Sequence, residues 1–373
     1  MLQQTQVKTV IPYWNCWMRE LPTIEAVAKA RPEKIHKLWE GLGYYTRARN
    51  LQKAAKQIME KHGGRFPDNF DDVLALPGIG RYTAGAICSI AFNQPTPILD
   101  GNVIRVLTRV FGIGENPREK KTRAQLWQLA EELVIQVSRF THHVSRVSHL
   151  NQSLMELGAL VCTPRNPQCD ICPGNKLCVA FRKGRTGELP NLSKREAATA
   201  KRFVAFVVER NGRFLVRQRP VGVVNAHLWE FPNVEIGARL SEPQYARWQS
   251  AAGTIPATDG KRMCCGSGDP RSESVADVAA QLFGSHPTSI HHLCTIKHSI
   301  TRYRITLEAF RVSLGRTSYT SPHKKMGRRV TPPSEVGVWL TPAQMRELAF
   351  TAAHKKILRS ALHHGPLSRS PGR

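Results

Sequence analysis

The chain has 373 residues, with 54 Lys and Arg against 28 Asp and Glu and a net charge of +26. That length is long for one domain and comfortable for two, each able to bury a core. The charge excess argues against an incidental surface and for a polyanion partner whose binding weakens as salt rises, a solvated basic surface being the competing reading. No apolar run has membrane-spanning length, and no basic segment leads into an apolar signal region. The chain is therefore expected in the bacterial cytoplasm with the nucleoid, or in the nucleus if eukaryotic, with its nine cysteines reduced.

From the N-terminus to about residue 180 the apolar spacing is helical, and no strand pattern interrupts it. Pro22-Thr23 caps a segment that runs to Ala30. Pro32-Glu33 opens another that carries Ile35, Leu38 and Trp39 on one face and stops at Gly41 and Gly43. The turn Pro77-Gly78-Ile79-Gly80 opens an amphipathic helix from about Arg81 to Ala91. Glycines there let backbone N–H groups point outward at a helix N-terminus, a site suited to a phosphate. A lone carboxylate, Asp100, then stands in an apolar run just ahead of a helix starting at Gly101-Asn102. It reads either as an N-cap or as a chemical group, since a carboxylate beside a docked phosphate backbone is no binding group.

Leu150, Leu154, Leu157 and Val161 recur at helical spacing just before Cys162, Cys169, Cys172 and Cys178. Four thiols in one short loop of a reduced protein point to a shared metal. Zinc sites usually pair two C-x2-C knuckles across a longer gap. The uneven C-x6-C-x2-C-x5-C spacing suits a cubane iron–sulfur cluster better, with zinc and coincidence as the other readings. Thr163 to Gln168, holding Arg165 and two prolines, reads as a rigid basic loop suited to a phosphate. Cys16, Cys88, Cys264, Cys265 and Cys294 show no ligand spacing.

Seven Lys and Arg between Arg182 and Arg202, with glycine and proline, suit a basic linker over residues 181–201. Val204–Glu209 and Arg213–Arg219 are strand-like runs joined by Asn211-Gly212, a hairpin signal. Arg302–Val312 alternates Ile305, Leu307 and Ala309 against Arg304, Thr306 and Glu308, as a half-buried strand does. A helix is expected around Pro342–Leu362, a polar loop over 252–275 and a disordered basic tail over 363–373. The fold class is thus multi-domain: an all-α domain over 1–180, a linker, and a mixed α+β domain over 202–362.

Taken together, LPGIGRYTAG, ILDGNVIRV and the four-cysteine loop resemble the helix-hairpin-helix base-excision DNA glycosylases that carry an iron–sulfur cluster. MLQQTQV (1–7), GLGYYTRAR (41–49) and LNQSLMELGALVC (150–162) narrow the resemblance to the adenine DNA glycosylases of the MutY type. It covers residues 1–180 strongly and 200–360 weakly. It implies a monofunctional N-glycosylase that hydrolyses adenine from A·8-oxoguanine or A·G mispairs in double-stranded DNA, as a monomer and with no membrane partner. The implied cofactor is a [4Fe-4S] cluster held by Cys162, Cys169, Cys172 and Cys178.

A base inside a duplex must be flipped out before it can be cut, with side chains filling the gap. The resemblance gives that work, or contact to the opposite base, to Gln3, Gln4 and Tyr44, and counts Thr5 and Leu42 among the DNA-binding residues. It gives the DNA backbone to Gly78, Gly80, Arg81 and Arg165, and the adenine pocket to Gln152 and Glu156. A solvent-facing helical glutamate is the competing reading of Glu156. Breaking an N-glycosidic bond needs a protonated leaving base and a stabilised oxocarbenium-like sugar, work shared by two carboxylates in contrasting states. Asp100 matches the ionised one. Tyr82 stands where related lyases hold a Schiff-base lysine, so the reaction is expected to lack an efficient lyase step.

Leu228-Trp229-Glu230-Phe231-Pro232 and the strand around His298 match the Nudix-like module that reads 8-oxoguanine in this family. No run of glutamates has the spacing of a Nudix metal box, so nucleotide hydrolysis is not expected of it. The family's Phe-Ser-His triplet is here Ile296-Lys297-His298. The family's general acid is a glutamate two residues before MLQQTQ, whereas this sequence begins at that methionine and its first carboxylate is Glu20. Two expectations follow: an active adenine glycosylase with further sequence upstream, or a catalytically impaired mismatch- or lesion-binding protein. A related glycosylase for thymine opposite guanine is the third.

Overall fold

The computed structural model describes residues 1–2, 5–139, 145–193, 197–236, 274–283, 286–300, 302–314 and 337–363. Backbone packing divides the chain into two compact units. One holds Met1–Pro22, Ala30–Arg49 and Glu196–Arg373, and the other holds Thr23–Lys29 and Asn50–Arg195. Residues 1–22 and 30–49 are therefore grouped with the strand-bearing stretch, although their sequence pattern is helical.

The helices of the first 193 residues are α1 Val7–Glu20, α2 Ile24–Lys29, α3 Pro32–Leu38, α4 Thr46–Lys61 and α5 Phe70–Leu74. They continue with α6 Arg81–Ala91, α7 Gly101–Phe111, α8 Lys120–Arg139, α9 Ser145–Glu156 and α10 Val179–Arg182. In the second unit Ile98, Leu99, Val103 and Leu107 are buried against Leu126, Trp127 and Ala130 of α8, with Leu154 and Met155 of α9 beside them. This core surrounds the start of α7. Gly112, with φ 68, ends that helix in the left-handed conformation that favours glycine.

The helical spacing through Leu157 and Val161 continues α9 only as a π-helical turn, Leu157–Val161, closed by the Cys162 N–H on the Leu157 carbonyl at 2.7 Å. The reason lies in α7. A Cβ at Gly158 would fall 2.6 Å from the Asn102 Cβ, and the Gly158 carbonyl accepts from Arg105 Nη2 at 2.5 Å. The wider turn keeps that contact and carries the chain into Cys162, a use typical of π-bulges.

The strand-bearing unit contains a sheet of β1 Thr199–Arg210, β2 Arg213–Gln218, β3 Trp229–Glu230, β4 Asn233–Glu235, β5 Pro287–Ile300, β6 Tyr303–Leu314 and β7 Val338–Leu340. The order is β3-β2-β1-β6-β5, with β4 also on β1 and β7 also on β2. The long β1 and β6 run parallel, and β5 returns antiparallel beside β6. Helix α11 Val275–Phe283 covers Val204, Phe206 and Val208. The alternate residues Ala205 and Val207 face α12 Pro342–Glu347 and α13 Ala352–His363. β1 is thus buried on both faces, as a central strand must be.

The Asn211-Gly212 hairpin forms as expected, with φ 51 and φ 69, the pair of positive values that a type I′ turn requires. The single helix expected over Pro342–Leu362 is two. Leu348 turns extended, and the next residues bridge to Trp229, whose N–H donates to the Ala349 carbonyl at 2.9 Å. This pairing outweighs the local helical preference. Of the loop expected over 252–275 only Ser274 and Val275 are described, and Val275 already begins α11; Cys264, Cys265 and the tail beyond His363 lie outside the described residues. Among the described residues no helix is long and apolar enough to cross a membrane.

Candidate active site

Asp100 is the N-cap of α7. Its Oδ1 accepts from the Val103 N–H at 2.7 Å, and its Oδ2 accepts from Asn102 Nδ2 at 3.2 Å. Ile98 and Leu99, 1% and 2% exposed, anchor the backbone just before it. The capping reading of the sequence is therefore realised, and it fixes where the carboxylate points. Tyr82 lies in the first turn of α6, and its hydroxyl donates to Met155 Sδ of α9 at 3.7 Å. Burial, and then the charge of Asp100, push the Tyr82 phenol above its ordinary value. The two groups lie within each other's electrostatic reach, and the phenol stays protonated.

Behind Asp100, α7 carries two arginines one turn apart. Arg105 donates from Nη2 to Asn102 Oδ1 at 2.8 Å and from Nε to the Cys162 carbonyl at 2.6 Å. Arg109, 2% exposed, donates to the carbonyls of Leu189 at 2.9 Å and Thr163 at 2.8 Å, and lies 3.3 Å from Cys162 Sγ. Asn151 Nδ2 ties α9 to the Thr96 carbonyl at 2.9 Å, just before Asp100. The motifs did not single out Asn102, Arg105, Arg109 or Asn151. Their one signal in the sequence is two arginines at helical spacing inside an apolar run, where solvated charge does not belong.

Cys162, Cys169, Cys172 and Cys178 line one pocket, with Arg109 in its wall. The Cys169 thiol is pushed up by burial and then by the neighbouring Cys162 and Cys178, as expected of sulfurs drawn together. None of the described cysteines is in a disulfide. Among the described residues no three His, Cys, Asp or Glu side chains converge as ligands of one metal ion. Four soft cysteine sulfurs around a shared space, with a guanidinium against one of them, suit a polynuclear cluster better than a single ion. The loop between the first two cysteines is held by Thr163 Oγ1 on the Arg165 carbonyl at 2.8 Å and by Asn166 at φ 49, and it leaves Arg165 exposed.

Gly78 has φ 83, and a Cβ there would lie 2.6 Å from the Asn50 side chain. Gly80 begins α6 with no capping side chain. Arg81 lies over the Trp127 ring at 4.2 Å and 3.8 Å from Glu131, so its guanidinium is held by α8. Gln152 and Glu156 are both exposed on α9, and Gln152 Nε2 bonds Ser148 Oγ at 2.9 Å on the same helix.

In the strand-bearing unit the Leu42 side chain is buried, 7% exposed. Tyr44 is 62% exposed at φ 47, with the Arg47 guanidinium 5.1 Å from its ring. The Thr5 N–H closes a turn on the Leu2 carbonyl at 3.3 Å, while Gln3 and Gln4 lie outside the described residues. His298, on β5, is half-buried, and its buried Nδ1 has no hydrogen-bond partner among the described residues. Burial, then Lys356 of α13, lower its basicity. Lys297 beside it is exposed.

Residues 1–132 match the HhH-GPD superfamily of base excision DNA repair proteins, and residues 203–360 match the NUDIX domain. Over 412 aligned residues the chain is 33% identical to the adenine DNA glycosylase of Rattus norvegicus, covering 98% of this chain and 70% of that protein. The chain belongs to the adenine DNA glycosylases. The adenine DNA glycosylase of Buchnera aphidicola from Schizaphis graminum is 37% identical over 242 residues, 65% of this chain and 67% of that protein. The solved structure of a thermostable thymine-DNA glycosylase is 31% identical, with a TM-score of 0.43, over 49% of this chain and 80% of that one. As an adenine DNA glycosylase the protein is a DNA N-glycosylase of base excision repair, with a helix-hairpin-helix domain followed by a Nudix domain.

Proposed function

We propose that this glycosylase removes adenine paired with 8-oxoguanine or guanine, with Asp100 as the ionised group that stabilises the sugar cation. The observation that carries the reading is the pinned carboxylate: both Asp100 oxygens are oriented by hydrogen bonds at the start of α7, next to a phenol that stays neutral. A fixed anion facing a developing positive charge contributes more than a mobile one, because no reorganisation is needed when the bond breaks. Tyr82 supplies a hydroxyl and ring packing but no amine, so no imine with the sugar forms and the strand is left uncut.

The same reading gives the four-cysteine pocket a [4Fe-4S] cluster, which when bound would fix the Arg165 loop in shape for a phosphate. His298 and Lys297 are assigned to the base opposite adenine, and Tyr44 to the space left in the stack.

Asp100→Asn tests the central claim, because asparagine caps a helix as well as aspartate does. The variant keeps its thermal midpoint and its duplex affinity, while single-turnover adenine release falls by about 10²–10³-fold, the range for removing one preorganised electrostatic contact. Release within threefold of the parent leaves Asp100 a cap and nothing more. Lost duplex affinity points the same way.

A further inference from the structure

Glu40 follows α3 in the turn that leads to Tyr44, and its carboxylate is only 5% exposed. Lys37 Nζ lies 3.2 Å and Lys355 Nζ of α13 lies 2.5 Å from its Oε2, while the Phe350 N–H donates to Oε1 at 3.0 Å. Three further contacts line the same seam. Lys37 Nζ donates to the Leu348 carbonyl at 3.1 Å, and Arg49 Nη1 donates to the Ala226 carbonyl at 3.1 Å. The rings of His36 and His227 stack 6.1 Å apart. All of these residues belong to one compact unit. A carboxylate taken out of water is costly unless paired, so apolar residues could hold this seam at least as well. What the charged set adds is a defined register between the two surfaces.

That register connects two groups. The Glu40 carbonyl accepts from the Tyr13 hydroxyl at 3.2 Å, and Gly41 follows at φ 113 with the Tyr13 oxygen closing the space where a Cβ would be. The turn that presents Tyr44 is therefore tightly held. On the other side, α13 carries Lys355, which pairs with Glu40, next to Lys356, whose charge acts on His298 of β5. One helix thus faces both the Tyr44 turn and the His298 strand.

We propose that Glu40 is a positioning residue for recognition of the base opposite adenine, clamping the Tyr44 turn to α13 so that Tyr44 and His298 meet one base pair in fixed register. This rests on the reading of those two side chains as contacts to the mispair. Each contact survives alone when the clamp is lost, and so does the charge that draws in any duplex. Specificity is a difference between two affinities, and it is this difference that needs joint placement.

The test uses the full chain with Glu40→Gln, Lys355→Gln and the double variant. Affinity is measured for duplexes identical except for 8-oxoguanine or guanine opposite adenine, and for a fully paired duplex. Lys355 is 37% exposed and its loss leaves Lys37 paired with Glu40, so its substitution is the milder of the two. Each single variant is expected to lower the 8-oxoguanine-to-guanine affinity ratio at least fivefold, with the fully paired duplex bound within twofold of the parent. The double variant should lose no more than either single one, the signature of a shared contact. A parent that discriminates and variants that keep the full ratio overturn the clamp alone. Equal weakening on all three duplexes shows a merely structural role and overturns it too. A parent that binds both mispairs equally removes the reading of Tyr44 and His298, and the clamp with it.

Discussion

Gly85→Ala is the smallest change that separates a packed approach to Asp100 from a loose one. Gly85 is buried in the middle of α6, and a Cβ there would lie 2.2 Å from the Pro97 carbonyl oxygen. Ordinary contact begins near 3.4 Å, so α6 and the loop must part by about 1.2 Å, 3.4 less 2.2. The obstacle is backbone and cannot rotate away. The loop is also tied on two sides, by Thr96 Oγ1 on the Gly85 carbonyl and by Asn151 Nδ2 on the Thr96 carbonyl, both at 2.9 Å. Alanine gains about 1 kcal/mol in helix propensity. Overpacking costs about 1–3 kcal/mol, and loosening the two hydrogen bonds about 1 kcal/mol each. The expected balance is a loss of about 2–4 kcal/mol. The displaced loop leads through Ile98 and Leu99 into Asp100, and about 1 Å of misplacement at a reacting group costs on the order of 10²-fold in rate. Urea unfolding and single-turnover adenine release measure the two effects. Gly101→Ala is the control, since a Cβ at that position meets nothing within 4 Å although it adjoins Asp100. A Gly85→Ala protein as stable as its parent refutes the close approach, and with it the account of how the carboxylate is held.

Two further predictions concern buried cations and a buried base. His354 accepts the Phe231 N–H at Nδ1 at 3.0 Å, and burial is the main cause that lowers its pKa to about 4. Its unfolded value is about 6.5, so the unfolded chain binds a proton that the fold refuses. The stability this imidazole contributes is complete above pH about 6.5 and is lost as the pH falls towards 4, up to about 3 kcal/mol at about 1.4 kcal/mol per pH unit. Urea midpoints at neutral and mildly acid pH should fall further for the parent than for His354→Gln, and parallel falls would exclude His354 as the source. Arg109→Met removes the donors that satisfy the Leu189 and Thr163 carbonyls and lie against Cys162. Breaking one side of such a buried set costs about 3–5 kcal/mol, read as a lower unfolding midpoint and, on the proposed cluster reading, as lost protein-bound iron. Arg109→Lys should not restore either, because one ammonium cannot reproduce the guanidinium fork. Full recovery in the lysine variant would show that charge alone suffices there.

What could be read from the sequence was whatever its own neighbours determine. Asn211-Gly212 carries the conformation of its turn and Asp100 its cap, so each is legible locally. The break in the helix after Glu347 was not, because it depends on Trp229, a residue remote in sequence whose backbone pairs with Ala349 and Thr351. The π-turn at Leu157 depends likewise on Asn102 and Arg105. Leu42 lies in a strongly marked motif, yet spacing says nothing about which side of a turn is buried. Composition misled in one respect: Arg105 and Arg109 count towards the +26 but are 8% and 2% exposed, so that part of the charge faces the interior.

That interior charge bears on how the site is built. Asp100 caps α7, Asn102 and Arg105 occupy its first turns, and Arg109 follows one turn later, so a single rigid helix carries them all. Arg105 joins Asn102 to the Cys162 carbonyl, and Arg109 joins the same helix to Thr163 at the start of the Arg165 loop. Apolar packing of α7 against α8 and α9 is non-directional and by itself sets no sharp position along the helix axis. The arginines set one, because their short bonds to backbone carbonyls tolerate little displacement. The placement of Asp100 and the order of the four-cysteine loop are consequently one structural property, and a change that disorders the loop acts on the carboxylate through the body of α7.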